Sequence, residues 1–283
     1  MIIVSWNMQW GRGVDGKVDL QRIVRTAQAL GDFDVLCLQE VADHYPGLDG
    51  AGKANQFAEL PELLPGFHAI EGVAVERNTP GIGRQRFGNM MFTREAPVQV
   101  LRHQLPWPGD GTQASMPRLV IEAVLPAPGG AIRVLTTHLE YYSALQRAAQ
   151  VERLRQLQAE AGSHARLPPQ AGQEGKPFET RERNSRGVIC GDFNCDAPDP
   201  MIARLQQPEG QMPGWCDAWP VAHPGQPHPM TIGLHDHQQW PDGPQCFDFF
   251  LVSADLKGAV RRMEVDAATD ASDHQPILLE LEL

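Results

Sequence analysis

The chain has 283 residues, of which 42% are hydrophobic and 21% charged. That balance predicts a packed globule rather than a disordered chain, and the length allows one large domain or two small ones. The formal net charge of -11 disfavours a broad, sequence-independent grip on nucleic acid or an anionic membrane, though not a local basic patch. Five cysteines without C-x-x-C spacing disfavour a disulfide scaffold or a cysteine zinc cage. Cys37 and Cys190 sit inside apolar runs, as small core residues do.

Residues 2–6 predict a buried strand that ends in Asn7. They enter it without a charged start, an apolar stretch and a cleavage site, and no run approaches the length of a membrane span, so a cytoplasmic setting is expected. Beyond a loop carrying Gly11, Gly13 and Gly16, the spacing of Leu20, Ile23, Val24, Ala27 and Leu30 predicts a helix closed by Gly31. A buried strand over 35–38 ends in Gln39-Glu40. A glycine-bearing loop over 43–55 precedes a short helix over 57–64 that stops at Pro65-Gly66. Strands are expected over 68–75 and 89–93, around a basic turn over 81–86, and again over 98–101 and 119–125.

The strand over 132–137 ends in His138. Ser143-x-x-Gln146 resembles a capping box that opens a helix running to Gly162. Residues 163–186, rich in Pro, Gly and charge, predict a long loop. The strand Val188-Ile189-Cys190 then ends in Gly191-Asp192-Phe193-Asn194. Asp192 and Asn194 are two apart, so in extended backbone both side chains leave one face, where a carboxylate and an amide oxygen suit a hard metal ion or an attacking water. An ordinary Asx turn is the alternative use of the same residues. Asp199-Pro200 marks the cap and first position of a short helix. Residues 208–245 carry many prolines with His223, His228, His235 and His237; a strand over 247–252 opens with Asp248, and Ser272-Asp273-His274 precedes a last strand over 277–283. With no internal repeat and no clear linker, one α/β domain over 1–283 is expected.

The polar residues punctuate the apolar strands. Asn7, Glu40, His138 and Asp192 with Asn194 are tails; Asp248 and Asp273-His274 are heads. Tails of one strand direction and heads of the other meet at the same edge, so a mixed sheet gathers them on one rim. Such a collection of carboxylates, carboxamides and imidazoles is unfavourable to bury unless it binds a cation or performs acid–base work.

In this order, Ser5-Trp6-Asn7, Leu38-Gln39-Glu40-Val41, Thr137-His138-Leu139, Gly191-Asp192-Phe193-Asn194, Asp248 ahead of Phe249-Phe250, and Ser272-Asp273-His274 resemble the motifs of the endonuclease/exonuclease/phosphatase (DNase I-like) superfamily. The match spans nearly the whole chain; Phe247-Asp248-Phe249 stands where Ile-Asp-Tyr is common, which keeps the aspartate. The resemblance implies a four-layered α/β sandwich: two packed mixed β-sheets flanked by helices, with the site across their common edge. It implies a phosphoric ester hydrolase and leaves the substrate open.

By that resemblance Glu40 is the metal ligand, Asn7 supplies a neutral oxygen near the metal, and Asp273 touches it directly or through water. Mg²⁺ suits such an oxygen-only, partly hydrated site better than Zn²⁺, with Mn²⁺ as a substitute. His274 and Asp248 are the base and its orienter, and Asp192 holds the attacking water; the sequence does not decide whether Asp192 or His274 is the formal base. Asn194 hydrogen-bonds a phosphate oxygen, and His138 donates to the phosphate or assists the leaving group. Asn89, Arg84, Arg86 and Arg147 are candidates for contact with substrate phosphate, with Arg147 and Gln150 also candidate braces on an exposed helix face. Arg181, Arg183 and Arg186 form a second basic cluster, expected to bring the end of the 163–186 segment beside the cleft. His235-x-His237 lacks a third ligand and reads as loop.

The expected function is therefore Mg²⁺-dependent hydrolysis of a phosphate ester, with a phosphodiesterase or endonuclease-like activity first and nucleic acid among the candidate substrates. A phospholipid or small phosphorylated-metabolite phosphatase is the alternative, and a non-catalytic binding module comes third. The acidic charge weakens the nucleic-acid option. The absence of an amphipathic membrane helix weakens the lipid option. No protein partner is evident.

Overall fold

The computed structural model describes residues 1–168 and 170–283. Pro169, inside the expected 163–186 loop, lies outside the described residues. In chain order the first half contains β1 (Ile2–Asn7), α1 (Leu20–Leu30), β2 (Val35–Asp43), α2 (Gln56–Leu63), β3 (His68–Thr79), β4 (Gly83–Thr93), β5 (Gln99–Gln104) and β6 (Leu119–Leu125). The second half contains β7 (Ile132–His138), α3 (Ala144–His164), β8 (Gly187–Asp192), α4 (Pro200–Leu205), β9 (Cys216–Asp217), α5 (Ala218–Ala222), β10 (Asp248–Val252), β11 (Val260–Val265) and β12 (Ile277–Leu281).

Two β–α–β units organise these elements. Asp19 caps α1 by accepting the Arg22 N–H at 2.8 Å, and the helix turns Leu20, Ile23, Val24 and Ala27 inward. It thereby carries the chain from β1 to its parallel neighbour β2. Ser143 caps α3 in the same way, at 3.2 Å from the Gln146 N–H, and α3 carries the chain from β7 to its parallel neighbour β8. Antiparallel strands extend each pair into a six-stranded mixed sheet: β11-β12-β1-β2-β4-β3 and β5-β6-β7-β8-β10-β9.

The sheets pack face to face over one apolar layer that includes Ile3, Cys37, Ile121, Val134, Val188, Phe250 and Leu279. A second layer lies under α1 and α2, with Trp6, Phe57 and Phe92. A third lies under α3 and α4, with Leu154, Phe193 and Phe249. Each fully buried side chain of this size contributes about 1.5–3 kcal/mol. The expected four-layered sandwich is what forms.

In the sheet that contains β1, three stretches differ from expectation. The β3–β4 hairpin runs on through Glu76 and Arg86, which are register partners, so Arg84 and Arg86 lie on a strand and not in the turn. The charged tip lacks apolar alternation and is held by cross-strand pairs such as Arg84–Glu76. Strand β2 continues past Glu40 to Asp43 through a register shift between Leu38 and Val41. Strand β11 has only Val260 and Met263 buried, which left no period of two in its sequence.

Candidate active site

Strands β1, β2, β7 and β8 point their C-terminal ends at one edge of the sandwich, and β10 runs back from it, so Asp192 faces His138 on one side and Asp248 on the other in strict register. The approach of β8 to β7 is close: a Cβ at Gly191 would lie 1.9 Å from the Thr137 carbonyl oxygen, and Gly191 has φ +134°. Only glycine fits there. The rim opens into a cavity of about 730 Å³ lined by Glu40, His138, Asp192, Asn194, Asp273 and His274, among others.

His274 donates from Nδ1 to Asp248 Oδ2 at 2.8 Å, and its Nε2 lies 3.6 Å from Asp192 Oδ2. All three side chains are buried. Asp248 is fixed from behind by the Thr231 hydroxyl at 2.8 Å, and the His274 carbonyl accepts the Trp6 indole N–H at 2.9 Å. His138 brings Nε2 to 3.5 Å from the same Asp192 oxygen and 3.9 Å from Glu40 Oε1. Asn194 donates its backbone N–H to Asp192 Oδ1 at 2.8 Å and one amide hydrogen to the Leu139 carbonyl at 2.8 Å, leaving a second amide hydrogen.

Burial sets the electrostatics. It lowers His274, but the carboxylates of Asp248, Asp192 and Asp273 outweigh it and push the imidazole up to about 10. Burial pushes Asp192 up to about 7 against the opposing pull of His274. His138 is driven well below its ordinary value by burial and by the Arg118 and His274 charges, so it is a neutral imidazole near pH 7. Glu40 is raised by burial and then by repulsion from Asp273. Glu40 lies near enough to Asp273 to feel its charge, and the two carboxylates together suit a cation between them. Their oxygen-only chemistry fits a hard ion better than zinc. Among the described residues no group of three or more His, Cys, Asp or Glu side chains is placed to hold a metal ion.

Asn7 sits at the centre, but not as expected. Its Oδ1 accepts the Gln9 N–H at 3.1 Å, so its Nδ2 faces Glu40 Oε1 at 3.1 Å and Asp192 Oδ2 at 2.9 Å. In this arrangement the amide nitrogen meets two carboxylates and the amide oxygen meets a backbone N–H. The cause is the turn after β1, where Gln9 and Trp10 take positive φ. Among the described residues, four of the five non-glycine positions with positive φ, namely Gln9, Trp10, Glu40 and Asn194, line the cavity. Backbone strain of this kind concentrates at functional sites.

The expected phosphate contacts fare differently. Arg84 pairs with Glu76 at the exposed hairpin tip, outside the cavity. Arg86 is buried against Asp43 at 2.8 Å, with Glu71 at 2.9 Å, and lies over the Phe57 ring. Asn89 is buried behind His138 in a small adjoining pocket. Arg147 holds the Glu140 and Tyr141 carbonyls, each at 2.8 Å, while Gln150 accepts the Glu140 N–H at 2.9 Å. Both brace the turn after His138.

Arg181, Arg183 and Arg186 must be withdrawn from the cleft. Arg183 is buried on Glu122 at 2.8 and 2.9 Å, Arg186 holds the Pro128 and Gly130 carbonyls, and Arg181 pairs with Glu179. They enter β8 at Gly187, the end opposite Asp192, about 17 Å away at the usual rise per residue. His235 bonds the Ala267 carbonyl and His237 is exposed, so the loop assignment stands. The cysteines are free thiols.

Sequence reasoning missed four residues. Arg118 precedes β6, is 6% exposed, lines the cavity and has an Nη1 without a hydrogen-bond partner. Its Nε donates to Glu140 Oε2 at 3.3 Å. Arg118 is a polar head on an apolar strand, the same signal that marked Asp248. Glu140, two residues after His138, repeats the alternation seen in Asp192 and Asn194. Thr231 and Trp240, whose indole N–H reaches Asp273 Oδ2 at 3.2 Å, come from the proline-rich segment, where no period marks them. That segment also supplies Ile232 and residues 239–243 to the cavity wall.

The profile of the Endonuclease/Exonuclease/phosphatase family matches residues 4–274. Among solved structures, an endonuclease/exonuclease/phosphatase from Beutenbergia cavernae is 22% identical, with a TM-score of 0.66 over 100% of this chain and 71% of the other. A mannosyl-6-phosphatase from Bacteroides thetaiotaomicron is 18% identical, with a TM-score of 0.66 over 100% of both chains. The human Nocturnin catalytic domain with bound sulfate is 17% identical, with a TM-score of 0.62 over 100% of this chain and 94% of the other. No curated protein sequence matches. These structural likenesses carry the fold, and the profile match over nearly the full length carries the kinship: the chain belongs to the endonuclease/exonuclease/phosphatase family.

Proposed function

We propose that the protein is a Mg²⁺-dependent phosphoric ester hydrolase whose attacking water is held between Asp192 and His274. The observation that carries this is the buried chain from Asp248 Oδ2 to His274 Nδ1, at 2.8 Å, and from His274 Nε2 to Asp192 Oδ2, at 3.6 Å, opening on a cavity. A water in contact with both ends gives its proton to the pair, which titrates as a unit. Asp248 holds the imidazole in one tautomer and orientation and stabilises its charged form. His138, neutral and with Nε2 toward the site, donates a hydrogen bond to the phosphate or the leaving oxygen. The free amide hydrogen of Asn194 and the unpartnered Nη1 of Arg118 are further donors to phosphate oxygens.

Glu40 and Asp273 would hold Mg²⁺, and Mn²⁺ is the expected substitute. When bound, the ion supplies neutralisation of phosphate charge at the reacting centre. Arg118 and Asn7 keep the surrounding carboxylates oriented in its presence. The test is hydrolysis of bis(4-nitrophenyl) phosphate and glycerol phosphate by wild type with Mg²⁺ and with chelator. Metal-dependent release of nitrophenol or phosphate supports the proposal. Equal rates with and without the metal refute it.

A further inference from the structure

We infer that the cavity takes a substrate with one phosphate ester on an otherwise neutral, polyhydroxylated ring, such as a sugar or a nucleoside, and discriminates against polyphosphates and nucleic-acid polymers. This rests on the phosphoesterase proposal and goes beyond it to the substrate class.

Charge carries the first half. Among the described residues lining the cavity, Arg118 is the only lysine or arginine, and its Nε is already engaged by Glu140. The wall also bears Asp242, an exposed carboxylate at the mouth. One guanidinium with one bound cation accommodates a single phosphate. A second phosphate on the same small molecule, or the next one along a strand, meets Asp242 and no cation.

The other half is carried by the aromatic side chains that line the same cavity. Tyr141 and Tyr142, 39% and 62% exposed, stand edge to face with centroids 4.8 Å apart, and Tyr141 meets Trp240 edge to face at 6.1 Å. Exposed aromatic faces at a cavity mouth accept the apolar face of a sugar or a base. Beside them, Gln245 lines the same cavity, and its carboxamide presents a donor and an acceptor suited to neighbouring hydroxyls.

The two halves share one residue. Glu140 Oε2 accepts from Arg118, and Glu140 Oε1 accepts the Tyr142 N–H at 3.0 Å. The group facing the phosphate and the platform facing the ring are thus set at a fixed separation by one buried carboxylate. A cavity of about 730 Å³ is of the size that encloses a small molecule rather than a polymer groove.

The test is a Mg²⁺-supplemented panel: a hexose monophosphate, a nucleoside monophosphate, a hexose bisphosphate, a nucleoside triphosphate, a single-stranded DNA oligonucleotide, and ringless glycerol phosphate as control. At least one monophosphate should exceed the bisphosphate, the triphosphate and the oligonucleotide by about tenfold or more in kcat/KM, because like charges juxtaposed at a binding surface oppose association. Preference for the hexose or for the nucleoside names the source, and either supports the inference. Tyr142→Ala should raise KM for the preferred ring substrate by about tenfold relative to glycerol phosphate. Asp242→Lys should narrow the discrimination against the bisphosphate.

Preference for the oligonucleotide or a polyphosphate overturns this inference while leaving the hydrolase proposal standing. So does a Tyr142→Ala effect equal on ringed and ringless esters, or an unaltered discrimination in Asp242→Lys. Absence of turnover on every compound, including the ringless control, overturns both.

Discussion

In the proposed mechanism His274 works through the proton that Asp248 holds on its far nitrogen. Asp248→Asn should therefore lower kcat with metal affinity retained, because an amide presents NH₂ to the imidazole and stabilises no imidazolium. His274→Ala should lower kcat by about 10²-fold or more. The double variant should be little worse than His274→Ala, since the residues act as a unit. Multiplicative losses, read from kcat of the four proteins, would separate them. Glu40→Gln keeps shape and removes the anion, so Mg²⁺ binding measured by titration should weaken and turnover nearly vanish. Wild-type turnover at saturating Mg²⁺ would remove Glu40 from the site.

At this scale the sequence was most legible where a polar residue ends or begins an apolar strand. Asn7, His138, Asp192 and Asp248 all converge on the rim for that reason, while Glu40 reaches it from an irregularity inside β2. The amide direction of Asn7 was not legible, because the positive-φ turn at Gln9 and Trp10 decides it. Nor was Thr231, whose partner Asp248 is 17 residues away and joined to it by an irregular segment.

Among the elements, the entry into β8 shows how a basic cluster can be misread. Arg133, Arg183 and His103 converge on the buried carboxylate of Glu122, with Arg183 at 2.8 Å and His103 at 2.8 Å. Loop arginines look solvated or ligand-seeking in a sequence; a counter-ion in the middle of β6, 61 residues earlier, is what turns Arg183 inward. Arg183→Ser should thus destabilise the fold and leave KM for phosphate esters nearly unmoved, which denaturation and kinetics together can check.

Burial pushes the Glu122 carboxyl up, yet Arg183, His103 and Arg133 hold it well below its ordinary value. A carboxyl depressed in the folded state binds its proton more readily when unfolded. Its stabilisation is therefore full above the unfolded pKa of roughly 4.3 and is lost as pH falls from there toward the folded value. Glu122→Gln should lower stability at pH 7 by about 3–5 kcal/mol, since it leaves buried guanidiniums without a counter-ion. It should also flatten the acid limb of the stability–pH curve. An acid limb as steep as wild type would show that other groups govern acid unfolding. The expected helices and most strands formed because their apolar periods match their burial, as in α1; β11 and the far half of β3–β4 escaped because cross-strand pairing, not period, holds them.

Over the whole molecule, the two β–α–β units each bring a parallel strand pair to the same edge, and no internal repeat in the sequence announced it. The likeness lies in pairing and connection, which different side chains satisfy equally well. The acidic net charge of -11 fits a cavity in which carboxylates outnumber cations. It points toward a substrate that brings little charge beyond its reacting phosphate.

The most direct measurement is the rate of bis(4-nitrophenyl) phosphate hydrolysis by wild type and His274→Ala across a Mg²⁺ titration, closed by addition of chelator. The predicted result is saturable Mg²⁺-dependent turnover in wild type, lost on chelation, with His274→Ala lower by about 10²-fold or more at saturating metal and its circular dichroism unchanged. Turnover that survives chelation, or a folded His274→Ala as active as wild type, would contradict a phosphoesterase built on this rim.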